Sequence, residues 1–266
     1  MRMPRLRRLV SRGQSRGQPA RGTSAHSDAG GRQPPRTPNG TPLPPPRLRM
    51  GGSHFRSDAD FLAGALSDLA ELRQWCNLGP GSSLLDWGCG AGRLAIGIRE
   101  EFGRIGDYHG VDVQQRLIGW ADRNLSGPGF RFTKVDDTHV HYNPGGAATR
   151  TLPVAPGSVD VFYAYSVFSH LAGADTIGYL GALAQALRDN GRGWFTLFVE
   201  EGVADEVENP PDYGPLDWTV PLHCVRYSRS WFEAQLAAAG LAVVTFSHGA
   251  YTDGQSRYVV RRALPD

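Results

Sequence analysis

The stretch Leu84–Arg93, Leu-Leu-Asp-Trp-Gly-Cys-Gly-Ala-Gly-Arg, restricts the possible folds more than any other part of the chain. An apolar run ends at Asp86. Glycines follow at Gly88, Gly90 and Gly92, and Leu94, Ala95, Ile96 and Ile98 then open a helical pattern. A buried strand that passes through a tight turn into a helix accounts for this order. Glycine has no Cβ, so the turn can reach positive φ and a ligand can lie against bare backbone. The start of the following helix points unpaired N–H groups and a partial positive charge at the same place. The arrangement implies a nucleotide or nucleoside ligand.

The rest of the chain alternates in the same way. Apolar spacing predicts a helix over Ser57–Leu78, with Asp58 and Asp60 in its first turn. Strands are expected at Ser82–Asp86, Tyr108–Asp112, Phe130–Val135, Val159–Tyr165 and Gly193–Val199. Helices are expected at Arg93–Phe102, Gln114–Leu125 and Asp175–Arg188, the last closed by Asn190-Gly191. An irregular, proline-bearing segment, Glu200–Arg226, precedes a helix over Ser228–Ala239 and two closing strands, Leu241–Ser247 and Arg257–Arg262. This pattern predicts a mostly parallel sheet with helices on both faces and an antiparallel insertion near one edge.

Charge divides the chain. Residues 1–50 hold eleven arginines, one acid (Asp28) and nine of the nineteen prolines. Such a segment buries too little apolar surface to offset its ordering entropy, so a disordered tail is expected over 1–50. An organelle transit peptide, an RNA-binding tail or translation starting at Met50 would each suit that composition. The remaining residues carry seventeen basic and twenty-five acidic side chains, which argues against a nucleic-acid surface on the folded domain. Cys76, Cys89 and Cys224 are too few and scattered for a disulfide framework or a zinc site, so no metal is expected. Reduced thiols and the lack of a long apolar run imply a cytoplasmic protein without a membrane partner.

Spacing narrows the ligand. A dinucleotide fingerprint, G-x-G-x-x-G counted from Gly88, would place its third glycine at position 93, which is Arg93. Asp112 ends the second strand, where an acid can accept both ribose hydroxyls. These motifs, with Val161-Phe-Tyr-Ala-Tyr-Ser-Val-Phe-Ser-His-Leu171, resemble the class I S-adenosylmethionine-dependent methyltransferases over about residues 55–262. The resemblance implies an α/β, Rossmann-like sheet of seven strands in the order 3-2-1-4-5-7-6, with the seventh antiparallel. It implies S-adenosylmethionine as cofactor, held by Asp86, Gly88, Gly90 and Gly92, and by Asp112 and Val113 at the ribose. Asp136, or Asp137 in its place, would meet the adenine amino group. Tyr165 and Ser166 would line the methionine arm, and Arg56 would reach its carboxylate.

A methyltransferase mainly aligns the acceptor, and a hydroxyl acceptor also needs a base. His139, His141, His170, His223 and His248 are the candidates for that role, His170, just past the fourth strand, first and His223, in the irregular segment, second; Glu200 and Glu201 end the fifth strand at the same edge. Glu200–Arg226 is expected to form a substrate lid with Tyr213, Trp218 and His223 in its wall, since long irregular loops in compact domains are usually functional. The expected activity is methyl transfer to a hydroxyl or amine of a small molecule. A nicotinamide-dependent oxidoreductase, an RNA-binding or regulatory protein on the same fold, and a macromolecular methyltransferase are the competing readings. Asn209-Pro210-Pro211 follows the fifth strand rather than the fourth, and is read as a proline-rich loop.

Overall fold

The computed structural model describes residues 34–263 except 141, 148, 215, 216 and 252. The strands are β1 (Ser83–Trp87), β2 (Asp107–Asp112), β3 (Phe130–Lys134), β4 (Val159–Ala164), β5 (Leu187–Glu200), β6 (Glu206–Glu208), β7 (Val225–Ser228), β8 (Leu241–Ser247) and β9 (Ser256–Arg262). The helices are α1 (Asp58–Cys76), α2 (Arg93–Phe102), α3 (Gln115–Leu125), α4 (Gly173–Ala186) and α5 (Arg229–Ala238).

Strands β3, β2, β1, β4 and β5 lie side by side and parallel. Strand β9 runs antiparallel to β5 over Gly193–Leu197, and β8 pairs antiparallel outside it. The seven strands expected from sequence therefore take the expected order. The sheet has nine strands because β5 forks: its last residues, Phe198–Glu200, leave β9 and pair parallel with β7, which carries β6 antiparallel beyond it. Both added strands come from the segment read as irregular. Glu206–Glu208 and Val225–Ser228 are too short to show a period of two.

Successive strand residues point to opposite faces. Leu84, Val161, Tyr163, Trp194 and Val259 join the core under α1, α2 and α3. Leu85, Phe162, Phe195, Tyr258 and Val260 join the core under α4 and α5. Two helix starts are fixed by serine caps: Ser57 accepts from the Asp60 N–H, and Ser228 from the Trp231 N–H. Helix α4 ends at Ala186, earlier than expected, and Leu187 is already extended. Asn190-Gly191 sits in a bulge of β5 between the Val159–Leu187 and Val161–Arg192 pairs, not at a helix cap.

The disordered tail expected over 1–50 does not hold for its last part. Residues 1–33 lie outside the described residues, but 34–49 form a packed strap. Thr37 and Asn39 bond Glu100 of α2, and Leu43 and Leu48 are buried. The Arg49 side chain is fully buried: it donates to the Pro44 carbonyl (2.8 Å) and the Arg56 carbonyl (2.9 Å), pairs with Asp58, and lies over the Phe61 ring. The prolines aid this ordering by reducing the freedom the unfolded strap has to lose. Leu43→Ala is expected to lower stability by about 2–4 kcal/mol in urea titration, and a chain beginning at Met50 to fall further, because it lacks Arg49 as well.

Candidate active site

One pocket lies at the C-terminal ends of β1, β2 and β4, the edge where the glycine turn emerges. The turn is bound to β2 by three successive N–H groups. Gly88 and Cys89 both donate to the Val111 carbonyl (2.9 and 3.0 Å), and Gly90 donates to the Asp112 carboxylate (2.9 Å). Gly88 has φ +78°, and a Cβ there would fall 2.5 Å from the Val167 side chain. Gly90 has φ +55°, and a Cβ there would meet nothing closer than Leu117 at 4.0 Å, so this position opens a cradle in the pocket wall. Gly92 starts α2 with its back to Leu125 and is not on the wall.

Carboxylates surround the turn. Asp86 is buried and accepts the Tyr108 hydroxyl, and burial pushes its carboxyl up to about 7. Asp112 accepts from Gly90 and, through its other oxygen, from the Gln114 N–H (2.8 Å), which fixes its carboxylate beside Val113 on the wall. Of the adjacent pair after β3, Asp136 points outward and pairs with Lys134 (2.8 Å). Asp137 is buried on the wall, where it accepts the Tyr179 hydroxyl (2.7 Å) and that of Thr149.

Tyr165 and Ser166 leave β4 into the wall. Ser166 has φ +56° and is held by a closed set of bonds. Its N–H donates to Thr196 Oγ1 (2.8 Å), Thr196 donates to Gln255 Oε1 (2.8 Å), and Gln255 Nε2 donates to Ser166 Oγ (2.7 Å). Beside them lies Arg93, paired with Asp68 and with its guanidinium carbon 4.5 Å from the Phe55 ring centre and 4.7 Å from that of Tyr165. Arg56 is exposed and off the wall.

Histidines close the other side. His170 Nδ1 lies 3.2 Å from the Leu222 carbonyl oxygen, an acceptor, so Nδ1 carries the proton. Nε2 is then the lone-pair nitrogen. Burial holds the imidazole down to about 4, so it is neutral at physiological pH. His139 bonds the His170 carbonyl through Nε2 (2.8 Å), and Tyr142 packs edge-on to the His170 ring.

The irregular segment does not behave as expected. Tyr213, Trp218 and His223 are not among the wall residues. Tyr213 bonds Glu200 (3.0 Å) and packs on Phe198, Trp218 donates to the Tyr213 carbonyl (2.6 Å), and His223 packs on Trp218. These side chains cover the β5 fork, and the segment reaches the site through the Leu222 carbonyl. Asn209 clips the loop through Val220 and Cys224, as a structural residue would.

A family model described as a methyltransferase domain matches residues 85–192, which span the glycine turn, Asp112, Asp137, Ser166 and His170. Residues 85–192 are thus similar to a methyltransferase domain, which supports an enzyme with S-adenosylmethionine as its cofactor. Solved structures share this fold at low identity. An S-adenosylmethionine-dependent methyltransferase of Aquifex aeolicus is 18% identical with a TM-score of 0.51, covering 75% of this chain and 92% of its own. One from Mesorhizobium loti is 15% identical, TM-score 0.51, covering 76% and 100%. The magnesium protoporphyrin IX methyltransferase of Synechocystis, with S-adenosylmethionine bound, is 13% identical, TM-score 0.51, covering 81% and 86%.

The methyltransferase pocket suits a nucleoside better than a pyrophosphate. The N–H groups of Gly88, Cys89 and Gly90, which could otherwise cradle phosphate, are already bonded to β2. Sequence reading did not place Arg93, Tyr163, His139, Tyr142, Leu48 or Met50 on the wall. Arg93 was visible only as a missing glycine, and the others carry no local spacing signal.

The Asp86 carboxyl gives a pH test. Between its ordinary value of 3.8 and about 7, the folded carboxyl keeps a proton that the unfolded chain has released. Its contribution to stability is therefore present at low pH and lost as pH rises through 7. In urea titrations at pH 5 and pH 8, wild type is expected to lose stability relative to Asp86→Asn.

Proposed function

We propose that this enzyme transfers a methyl group from S-adenosylmethionine to a hydroxyl of an uncharged small molecule, with His170 as proton acceptor. The observation that carries this reading is the His170 imidazole on the pocket wall, whose Nδ1 is committed to the Leu222 carbonyl, which leaves Nε2 as its lone-pair nitrogen. When bound, S-adenosylmethionine supplies an electrophilic methyl carbon on a sulfonium leaving group. The acceptor oxygen gains positive charge as its bond to carbon forms, so its proton becomes strongly acidic. A neutral imidazole then suffices as base even with a value near 4.

In this reading Gly90 gives the cofactor its close approach to the backbone, and Asp112 with Val113 holds the ribose. Asp137 faces the adenine amino group in preference to Asp136, which points to solvent. Asp86, Tyr165 and Ser166 line the methionine arm. The uncharged acceptor is supported by the charges of the wall. Asp86, Asp112 and Asp137 are acidic, and the one cation among the described wall residues, Arg93, is paired with Asp68. An anionic acceptor would meet net repulsion. Among the described residues no helix is long and apolar enough to cross a membrane, and all three cysteines are buried free thiols, which supports a cytoplasmic setting.

Incubation with methyl-labelled S-adenosylmethionine and fractionated cell extract tests the reading, because the label identifies the acceptor. Label in an uncharged hydroxyl compound supports it, and label in a protein, RNA or anionic acceptor overturns it. His170→Gln is expected to lower kcat by about a hundredfold or more, with S-adenosylhomocysteine affinity within about threefold of wild type. The acid limb of kcat/KM is expected near pH 4, not at the free imidazole value of 6.5.

A further inference from the structure

Arg93 is the wall residue that the sequence argument treated only as a missing glycine. Its side chain is pinned by four neighbours. Nη1 pairs with Asp68, Nη2 donates to the Tyr163 hydroxyl (3.2 Å), and the guanidinium plane is flanked by Phe55 and Tyr165. Tyr163 itself donates to Asp68 (2.5 Å), so cation, carboxylate and phenol form a closed triangle. A planar cation held this firmly loses little freedom when it binds a further group.

The guanidinium has donors to spare. It carries five N–H groups, and two are accounted for by Asp68 and Tyr163. Several buried arginine nitrogens of this chain, on Arg99, Arg226 and Arg257, lack partners, but no Arg93 nitrogen is buried without one. Nε, which neither Asp68 nor Tyr163 engages, is therefore not buried, and the open space beside this side chain is the pocket.

The charges on this wall match a zwitterion. Asp86 lies close enough to Arg93 for the two charges to influence each other, and both line the pocket. An amino-acid group brings one carboxylate and one ammonium. Arg93 is the one cation that the described wall residues offer to the first, and Asp86 is a carboxyl whose ionised form an ammonium would favour.

We propose that Arg93 binds the carboxylate of the cofactor's methionine arm, with the ammonium turned towards Asp86. The proposal rests on S-adenosylmethionine being the cofactor, and it assigns to Arg93 the role that the sequence suggested for Arg56. Asp68 and Tyr163 are then positioning residues: they fix the guanidinium plane so that its outward N–H groups face the pocket.

Two nucleoside probes separate a ligand role from a structural one. S-adenosylhomocysteine carries the amino-acid group, and 5′-methylthioadenosine keeps the nucleoside and thioether without it. Calorimetric titration of wild type should give tighter binding of the first. If wild type binds neither, the cofactor reading fails, independently of Arg93. In the double variant Arg93→Met, Asp68→Asn, which leaves no unpaired buried carboxylate, S-adenosylhomocysteine affinity should fall by about tenfold to a hundredfold. Affinity for 5′-methylthioadenosine should stay within about threefold of wild type, and retained binding of that probe also shows that the variant is folded. Arg93→Lys keeps the charge without the planar fork and should lose less than the double variant, again for S-adenosylhomocysteine alone. Equal losses for both probes in Arg93→Lys, or no loss for either, would overturn the assignment, and this holds even if the double variant does not fold.

Discussion

Everything at the active edge depends on how the turn after β1 is tied to the end of β2. Three consecutive N–H groups of that turn reach β2: two on the Val111 carbonyl and one on the Asp112 carboxylate. The bonds place Asp112 where its second oxygen can be held by Gln114, at the start of α3. They also withdraw from solvent the donors that a phosphate would use. One set of hydrogen bonds thus fixes the shape of the cradle, the position of an acidic side chain and the kind of ligand the cradle suits.

Much of the fold was legible because its strands and helices carry strong periods. The five helices and the seven main strands were placed within a few residues, apart from the start of β5, which begins six residues before the expected Gly193; buried strands such as Val159–Ala164 are nearly continuous apolar runs. The β6–β7 pair was not legible, since strands of three and four residues show no period. The strap was hidden for a different reason. Leu43, Leu48 and Arg49 are single residues in a window dominated by proline, arginine and glycine, and composition averages over them. In the site, local motifs showed Asp86, Gly88, Gly90, Asp112 and Ser166. Sequence put Asp136 first with Asp137 as its substitute, and their side-chain directions, which sequence does not show, favour Asp137. Contacts made by long-range packing, such as Arg93 against Asp68 or His139 against the His170 carbonyl, had no signal in the chain, although His139 itself was among the histidines singled out.

The β5 fork explains why the segment after it covers the sheet instead of the pocket. A strand of fourteen residues is long for one partner on that side. It serves β9 along its middle and β7 at its tip, so the chain between the two acquires a sheet edge to pair with. Tyr213 and Trp218 then bury against Phe198 where the fork opens. The site takes its cover from elsewhere: Leu48, Met50 and Gly51 of the strap lie on its wall, anchored through buried Arg49.

Ser166 links the site to the far end of the chain. Its side chain accepts a hydrogen bond from Gln255, 89 residues later, on the turn between the last two strands, and Gln255 also accepts from the Thr196 that holds the left-handed backbone of Ser166. A ribosome delivers the glycine turn, β4 and Ser166 long before it delivers that glutamine. While the chain is still being made, Ser166 and Thr196 both lack the amide that closes this set of bonds, and this part of the wall is held less firmly. The pocket therefore reaches its final form only when the C-terminal hairpin has docked. Until then a nascent chain can assemble its first strands without acquiring a complete cofactor site.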